Sequence, residues 1–292
     1  MRCASGGTNA PVAHRIYSLT DPVAYAATSL PDAAMAILAK YSASKWEMAD
    51  GYTDYLNGTP SAVGQEVRAV ADSGYGSGYG NAMEMLNWFN TERDQSFSVP
   101  VMRDIAGHRA IDVSASNAAG LWCRKVIPRP RVQPNPLNKL PYGVADPHFT
   151  IAAVRVPGAN TGVVFQASRA DTASVTELGF AAGKPQVRLV DDAGTTVTLT
   201  SPNAVPANTA AVLTLATATG GQQLRVNSTP VATGNTTLAA SALDQMLIGW
   251  GFQQYHTEAS FGGYVFSVVT GRGVPSPGEL GVLERYLGST AG

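Results

Sequence analysis

The sequence predicts an all-β protein built as an antiparallel sandwich or barrel. Nine short, apolar, strand-like stretches follow residue 147, and clusters of Gly, Pro, Asn, Asp and Ser separate them. Short strands at this regular spacing are typical of these two architectures. The composition agrees, because 30 Gly and 18 Pro suit turns and 45 % hydrophobic residues can form a sizeable core.

The chain before residue 147 carries fewer regular elements. The predicted segments are, in order, a polar stretch without assigned structure (1–30), a short helix beginning at Pro31 (31–41), a turn-rich region (50–82) with a Gly- and Tyr-rich loop (74–80), a strand (108–116), and a Pro-punctuated extended surface segment (124–143). Glycine runs do not support buried elements, and repeated prolines favour extended chain.

Two local patterns after residue 147 predict specific elements. In VRLVDDAGTTVTLT, two strand-like runs flank Asp191–Gly194, which predicts a β-hairpin. Near the end of the chain, Ser276 is a suitable helix N-cap, Pro277 suits the first helical position, and Glu279 completes a capping box. The apolar face of this predicted helix is formed by Leu280, Leu283 and Leu287.

Charge and cysteine content exclude several classes of protein. A net charge of −1 with 14 % charged residues provides no strong field for nucleic acid or an anionic membrane. Cys3 and Cys123 are predicted to be unpaired thiols, since two cysteines make neither a disulfide framework nor a zinc site. The N-terminal residues contain no apolar signal-peptide segment, so we expect synthesis in the bacterial cytoplasm.

Residues 147–292 resemble the concanavalin A-like (laminin-G-like) jelly roll. The resemblance lies in HFTIAAVRVPG, in the hairpin QQLRVNSTPVA, and in the ending MLIGW…FGGYVFSVVTGRGVPSPGELGVLERYL. It implies a two-sheet jelly-roll sandwich with a short C-terminal helix. In that family the terminal helix covers an end of the sandwich, with Tyr286 and Leu287 as its expected anchors here.

A second resemblance concerns the segment NGTPSAVGQEVRAVADSGYGSG, residues 57–78. It is similar to a segment of sandwich proteins in tailed-phage and gene-transfer-agent particles. This implies a particle-associated spike, fibre or decoration protein. We therefore expect an N-terminal arm for docking or oligomerisation at 1–40 and a sandwich at 41–292, best supported at 147–292. A homotrimer is expected, because linked weak sites gain avidity.

The sequence does not contain the acid–base pair that hydrolysis of a polysaccharide requires. Retaining glucanases of this fold contain the motif E-x-D-x-(x)-E, which places two carboxylates on one face of a strand. Here Glu177 stands alone in SVTELGF, and Asp191 and Asp192 are adjacent in a turn. Of the motifs of alginate-lyase-like jelly rolls only TEL is present. We expect no enzyme, with a divergent polysaccharide-degrading enzyme as the minor alternative.

The sequence also shows no metal-ligand spacing. The four histidines, His14, His108, His148 and His256, are scattered along the chain, and we expect them at the surface or in loops. No cofactor is predicted. A structural calcium ion stays an open alternative for this fold, although no spacing of acidic residues indicates one.

Two stretches combine aromatic rings with amides, the mixture that recognises sugars. The predicted carbohydrate-binding residues are Trp250, Gln253, Gln254, Tyr255 and His256 in IGWGFQQYHTE, and Tyr75, Tyr79 and Trp88 in SGYGSGYGNAMEMLNWFN. Packing at sandwich edges or subunit contacts is the alternative for both stretches. For Trp250 a core position is a specific alternative, because Ile248 falls on the same face of the strand.

These patterns lead to one functional hypothesis and two alternatives. The hypothesis is a non-enzymatic protein on the surface of a phage-like particle that binds a host cell-surface polysaccharide. Its expected partners are that glycan and, through the N-terminal arm, other particle proteins, without nucleic acid or membrane insertion. A purely structural particle protein and the divergent enzyme are the alternatives.

Overall fold

The computed structural model describes most of the 292-residue chain. The described residues are 29–54, 58–75, 83–85, 99–113, 119–124, 142–156, 158–169, 173–253, 256–257 and 260–292. Residues 125–141 of the predicted extended segment and residues 76–80 of the predicted loop lie outside these ranges.

The described chain contains two α-helices and twenty strands. The helices are α1 (Leu30–Lys40) and α2 (Pro277–Ala291). The strands are β1 (Ser44–Glu47), β2 (Gly51–Asp54), β3 (Thr59–Pro60), β4 (Ala69–Val70), β5 (Met83–Met85), β6 (Val101–Ile105), β7 (His108–Asp112), β8 (Leu121–Arg124), β9 (His148–Val156), β10 (Gly162–Ser168), β11 (Val175–Ala181), β12 (Lys184–Val190), β13 (Thr196–Thr200), β14 (Thr209–Ala218), β15 (Gly221–Val226), β16 (Thr229–Gly234), β17 (Gln245–Ile248), β18 (Phe252–Gln253), β19 (His256–Thr257) and β20 (Tyr264–Arg272).

These strands form two large antiparallel sheets. The eight-stranded sheet has the order β16-β15-β14-β9-β20-β7-β6, and β1 also pairs with β20. The ten-stranded sheet has the order β13-β12-β11-β10-β17-β8-β5-β4-β2-β3. The architecture confirms the predicted antiparallel sandwich. Strands β1–β6 and β8, all before residue 147, were not predicted.

The eight-stranded sheet is the middle layer of three. In β9, Ala152, Val154 and Val156 pack in the core between the two sheets. The alternate residues Phe149 and Ile151 pack in a second core with the helices. Strand side chains alternate between faces, so a strand covered on both sides must be apolar almost throughout. This requirement explains the continuous run HFTIAAVRV.

The two helices form the third layer and are held together by polar contacts. In α2, Ser276 and Glu279 form the predicted capping box. Lys40 at the end of α1 donates to Glu279 Oε1 at 2.6 Å, and Tyr41 donates to Glu279 Oε2 at 3.0 Å. The predicted helices are thus confirmed, but α2 lies across the outer face of the eight-stranded sheet rather than over an end of the sandwich.

Both expected anchors of α2 are in contact with the sandwich. Leu287 is fully buried in the core beneath the helices. The Tyr286 hydroxyl donates to Glu47 Oε1 at 2.6 Å and accepts from Lys45 Nζ at 3.0 Å. Because Lys45 and Glu47 belong to β1, these bonds connect the last helix to the first strand of the fold.

Helix α1 packs onto the sandwich, although residues 1–40 were predicted as an arm. Its buried residues, Ala33, Ala34, Ile37 and Leu38, belong to the core shared with α2. Ser29 caps this helix by accepting from the Asp32 amide. Residues 1–28 lie outside the described residues, so docking or oligomerisation through them stays a prediction.

Two hairpins form where the sequence indicates them. Between β12 and β13, Asp191 Oδ1 accepts from the Thr195 amide at 2.8 Å, and Gly194 adopts φ +83°. Between β15 and β16, Asn227 and Ser228 have φ of 47° and 67°. Positive φ at both central residues is the conformation of a type I′ two-residue turn, which suits the twist of an antiparallel pair.

A buried ion pair connects α2 to β15, the strand next to the edge of the eight-stranded sheet. Arg225 Nε donates to Glu284 Oε1 at 2.8 Å and Arg225 Nη2 donates to Glu284 Oε2 at 3.1 Å. Thr214 Oγ1 donates to Glu284 Oε1 at 2.8 Å. The side chains of Arg225 and Glu284 are 8 % and 1 % exposed. Removing one partner would leave an uncompensated charge under the helix.

His148 is buried in β9, so the expectation of a surface or loop histidine is wrong for this residue. Its ring stacks on Tyr142 with centroids 4.3 Å apart, and its Nδ1 lies 2.9 Å from Thr217 Oγ1. Its Nε2 has no hydrogen-bond partner among the described residues. Burial lowers the pKa of His148 to about 4 and raises the pKa of Tyr142 to about 12.

Replacement of Glu284 by Ala should lower the free energy of unfolding by about 3–5 kcal/mol, because Arg225 is then left buried without its carboxylate. Chemical denaturation measures this change. Glu66→Ala is the matched control, since the Glu66–Arg68 pair is about half exposed at both partners. An exposed pair contributes about 0–1 kcal/mol. Equal losses in the two variants would contradict the structural role given to the buried pair.

Protonation of His148 should destabilise the fold as the pH falls. The folded pKa is lowered, so between pH 6.5 and about 4 the unfolded chain binds a proton that the folded chain does not. This group alone should therefore cost up to about 3 kcal/mol of stability by pH 4. Denaturation between pH 7 and 4 should show a shallower decline for His148→Gln than for wild type. An unchanged slope in His148→Gln would contradict this assignment.

Candidate functional site

The outer face of the ten-stranded sheet carries a line of polar residues. Strand register places Leu247, Gln166, Glu177 and Arg188 side by side on β17, β10, β11 and β12. Trp122 on β8 pairs with Leu247 at one end of this line. The neighbouring residues along each strand, such as Phe165, Leu178 and Val187, point into the core between the sheets.

Six of these outward side chains form one continuous chain of hydrogen bonds, here called the polar row. Its members are Trp122, Gln245, Ser168, Gln166, Glu177 and Arg188. The indole of Trp122 donates to Gln245 Oε1 at 3.2 Å, and Gln245 Nε2 donates to Ser168 Oγ at 2.8 Å. Ser168 Oγ donates in turn to Gln166 Oε1 at 3.1 Å.

Glu177 connects the neutral part of the polar row to Arg188, the charged residue at its end. Gln166 Nε2 donates to Glu177 Oε1 at 2.7 Å, and Arg188 Nε donates to Glu177 Oε2. Each carboxylate oxygen therefore has a donor, one neutral and one cationic. Such charge-assisted bonds fix the position of a guanidinium more firmly than a neutral bond would.

The middle of the polar row is buried, and its two ends, Trp122 and Arg188, are half-buried. Gln166 and Ser168 are fully buried, Gln245 is 1 % exposed and Glu177 is 6 % exposed. The Arg188 side chain is 30 % exposed. Beyond it, Thr198 and Thr200 on the edge strand β13 are exposed, and Gln186 donates to Thr200 Oγ1 at 2.9 Å. Gln186, Arg188, Thr198 and Thr200, here called the open patch, are the accessible continuation of the row.

The sequence analysis missed the polar row, although it noted Glu177 as an isolated carboxylate. Each strand contributes only one or two of its members, so no local motif contains them. The available signal was a polar residue at an outward position within an otherwise buried strand, as in GVVFQAS and VTELGFA. Only the register between strands shows that these residues are neighbours.

Trp250, one of the predicted carbohydrate-binding residues, is a core residue. It is 2 % exposed, which confirms the core alternative and removes its ring from the surface. A Cβ atom at Gly120 would lie 2.1 Å from Trp250 Cδ1, so Gly120 is required for the indole to fit against β8.

Of the other predicted carbohydrate-binding residues, those that the structure describes do not lie on the polar row. Tyr75 is 51 % exposed, and its amide donates to the Ala43 carbonyl beside β1, which pairs with the eight-stranded sheet. The backbones of Gln253 and His256 pair in the short β18–β19 ladder. Tyr79, Trp88, Gln254 and Tyr255 lie outside the described residues. Carbohydrate binding by this loop stays a prediction.

Among the described residues, no group of three or more His, Cys, Asp and Glu side chains is placed to hold a metal ion. In the same part of the chain, neither helix is long and apolar enough to cross a bilayer.

Comparisons with known proteins give distant structural similarity. Neither a protein-family model nor a curated protein sequence matches the chain. The botulinum neurotoxin serotype G binding domain is similar with a TM-score of 0.49 and 11 % identity, covering 74 % of this chain and 48 % of the toxin domain.

Two further similar structures belong to carbohydrate-active proteins. Domain 4 of AbnA, an extracellular arabinanase from Geobacillus stearothermophilus, in complex with arabinotriose, has a TM-score of 0.47 and 12 % identity over 65 % of this chain and 84 % of that domain. The CBM40 of the Ruminococcus gnavus IT-sialidase, bound to α2,3-sialyllactose, has a TM-score of 0.43 and 18 % identity over 48 % of this chain and 83 % of its own. All three scores lie below 0.5, so no ligand is transferred from these proteins.

Alanine substitutions at Trp250 and Tyr75 should change the free energy of unfolding by different amounts, because Trp250 is buried and Tyr75 is exposed. Trp250→Ala should lower the free energy of unfolding by about 3–5 kcal/mol, since it empties a large core site. Tyr75→Ala should change it by no more than about 0.5 kcal/mol, as is usual for an exposed position. Chemical denaturation of both variants measures the difference, and equal effects would contradict the core position of Trp250.

Proposed function

We propose that this protein binds a host cell-surface polysaccharide without cleaving it, through the open patch at the end of the polar row. The observation that carries the proposal is the hydrogen-bonded row itself, which runs from Trp122 to Arg188 across adjacent strands of one sheet. Its buried, mutually bonded side chains hold the partly exposed guanidinium of Arg188 in place.

Sugar hydroxyls both donate and accept hydrogen bonds, so a site that binds them needs both kinds of partner. The open patch offers a guanidinium and an amide as donors, with hydroxyls and the amide oxygen as acceptors. These groups lie on β12 and β13, where the sheet spaces them about 4.8 Å apart between strands and about 7 Å apart along each strand. Rigid placement limits the entropy that binding must overcome.

The arrangement of carboxylates supports binding without cleavage. Glycosidases that use two carboxylates hold them about 5–10 Å apart and use both in the reaction. Both oxygens of Glu177 already accept hydrogen bonds, one from Gln166 and one from Arg188.

The biological setting is part of the proposal and rests on the sequence. The similarity of residues 57–78 to sandwich proteins of tailed-phage and gene-transfer-agent particles supports a spike, fibre or decoration protein on a particle surface. Attachment through residues before α1 and assembly as a homotrimer would multiply weak sites on one particle. A purely structural particle protein is the competing outcome of the experiment below.

Replacing Arg188 by Ala should weaken binding to the recognised glycan at least about tenfold, because a charged donor contributes about 1.5–3 kcal/mol. Binding to a panel of immobilised bacterial polysaccharides and to host cells measures the effect. The matched control is Arg103→Ala, since Arg103 is 46 % exposed and donates from Nε to Asp112 at 3.1 Å on the other sheet. Its binding should stay within about twofold of wild type.

The same experiment decides between the candidate functions. If the wild-type protein binds neither the polysaccharides nor the host cells, the purely structural role is the remaining candidate. Wild-type binding that survives unchanged in Arg188→Ala would place the site elsewhere, with the predicted loop at 253–256 as the next region to vary. Thermal unfolding of each variant separates lost binding from lost structure.

A further inference from the structure

We infer that Arg155 binds the oxyanion of an acidic polysaccharide, a uronate carboxylate or a phosphate ester, at a second site on the helix side of the sandwich. The site, here called the Arg155 patch, consists of Arg155 and its two neighbours in the eight-stranded sheet, Tyr264 on β20 and Ala210 on β14. It shares no residue with the open patch, so the inference goes beyond the proposed function and is tested separately from it.

Arg155 occupies the last outward position of β9. Phe149, Ile151 and Ala153 precede it on the same face, and all three pack in the core beneath the helices. Side chains of a strand alternate between its two faces, so Arg155 continues this apolar line with a cation. The packing of the helix layer therefore does not explain why an arginine stands at this position.

The Arg155 patch lies at the margin of the surface that α2 covers. Near its end, α2 contacts the sheet beside Ala153, because Thr290 Oγ1 lies 3.0 Å from the Oγ of Ser267, which pairs with Ala153. Arg155 is one outward position farther along β9, or about 7 Å. All three residues of the patch are half-buried, which leaves part of each side chain accessible to a ligand.

The guanidinium of Arg155 carries a donor without an acceptor in the described part of the chain. Its Nε is buried and makes no hydrogen bond there. A buried donor without an acceptor costs free energy, and native structures contain few of them. Because no bond holds this Nε, the flexible side chain can rotate to place Nε and one Nη on the two oxygens of an oxyanion, the bidentate geometry that arginine favours.

An acidic side chain on the same line of the sheet is bonded to a different arginine. Asp112 on β7 pairs with Tyr264, which puts it two strand spacings, or about 10 Å, from Arg155. Its Oδ2 accepts from Arg103 Nε at 3.1 Å. A ligand oxyanion, rather than Asp112, is therefore the acceptor that the position of Arg155 suits.

Tyr264 supplies the second feature of a site for a sugar acid. It pairs directly with Arg155, and the Cβ atoms of such cross-strand neighbours lie about 5 Å apart. An aromatic side chain beside a guanidinium offers apolar surface to a pyranose ring while the guanidinium binds its oxyanion. The net charge of −1 provides no strong field for nucleic acid, so a polysaccharide is the polyanion that this combination favours.

The test compares polymers that differ in charge. The full chain is applied, at constant ionic strength, to immobilised galacturonan, glucuronan, poly(glycerol phosphate) and methyl-esterified galacturonan. Wild type should bind at least one acidic polymer about tenfold more strongly than the neutral ester, and the polymer that it prefers distinguishes carboxylate from phosphate. Arg155→Gln removes the charge and the bidentate donors, so it should lower this binding at least about tenfold.

Two control variants and one control ligand accompany this measurement. Arg68→Gln is the matched control, since Arg68 is an exposed arginine paired with Glu66, and it should bind within about twofold of wild type. Arg188→Ala, on the other sheet, should keep the preference for the acidic polymer. Duplex DNA should bind at least about tenfold more weakly than that polymer, and equal binding would reduce the effect to general polyanion attraction and overturn the inference.

Thermal unfolding separates ligand binding from a structural role of Arg155. Because the Nε makes no bond in the described fold, Arg155→Met should unfold at or above the wild-type temperature in ligand-free buffer. An oligomer of the preferred acidic polymer should raise the unfolding temperature of wild type and leave that of Arg155→Met unchanged. Unfolding of ligand-free Arg155→Met below the wild-type temperature would assign Arg155 a structural bond and overturn the inference.

The outcomes distinguish this inference from the proposed function. Wild type without a preference for any acidic polymer, or a preference that persists in Arg155→Gln, overturns the role of Arg155 and leaves binding at the open patch intact. Acidic binding that is lost in Arg155→Gln, while Arg188→Ala changes binding to no polymer, supports the Arg155 patch and counts against the open patch.

Discussion

The eight-stranded sheet is covered on both of its faces, and most of the structure depends on this constraint. One face meets the ten-stranded sheet and the other meets α1 and α2. Strands in a middle layer have no solvent side, so β9 and β20 are apolar almost throughout. The outer face of the ten-stranded sheet instead carries the polar row, in which Gln166, Ser168 and Gln245 are buried, and the more accessible open patch.

The polar row on that face is not the set of residues expected if stability alone determined the sequence. Transferring amides and a carboxylate away from water carries a free-energy cost that hydrogen bonds repay only in part. Apolar residues at Gln166, Ser168 and Gln245 would pack at a lower cost. Their complete mutual bonding instead produces a rigid polar support, and its accessible end is Arg188. This arrangement fits a face shaped by ligand binding better than one shaped by packing.

The elements predicted correctly from the sequence are those that depend on residues close to each other in the chain. The capping box of Ser276 and Glu279, the hairpin turn at Asp191–Gly194, and the short helix at α1 follow from residues within a few positions of each other. The strands after residue 147 were predicted for the same reason. The position of α2 was wrong, because whether a helix lies on a face or an end depends on contacts with distant strands.

The candidate site could not be predicted because it is non-local. Trp122 and Arg188 are 66 positions apart in sequence, yet they belong to one hydrogen-bonded row because four pairings place β8, β17, β10, β11 and β12 side by side. Sequence reasoning favoured stretches in which aromatics and amides are consecutive. Trp250 shows the weakness of that criterion, since its ring fills the core beside Gly120.

The three layers also separate the proposed site from the start of the described chain. Ser29 caps α1 in the helix layer, so the residues that precede it join the fold on the side opposite the open patch. Packed layers are about 10 Å apart, which puts the helix layer and the outer sheet about 20 Å from each other. Lys40 and Tyr41 bind Glu279, and Tyr286 binds Glu47, so α1, α2 and β1 are tied together on that side. The proposed attachment through the N-terminal residues would therefore begin in the helix layer, and the open patch on the opposite layer would stay accessible to a glycan.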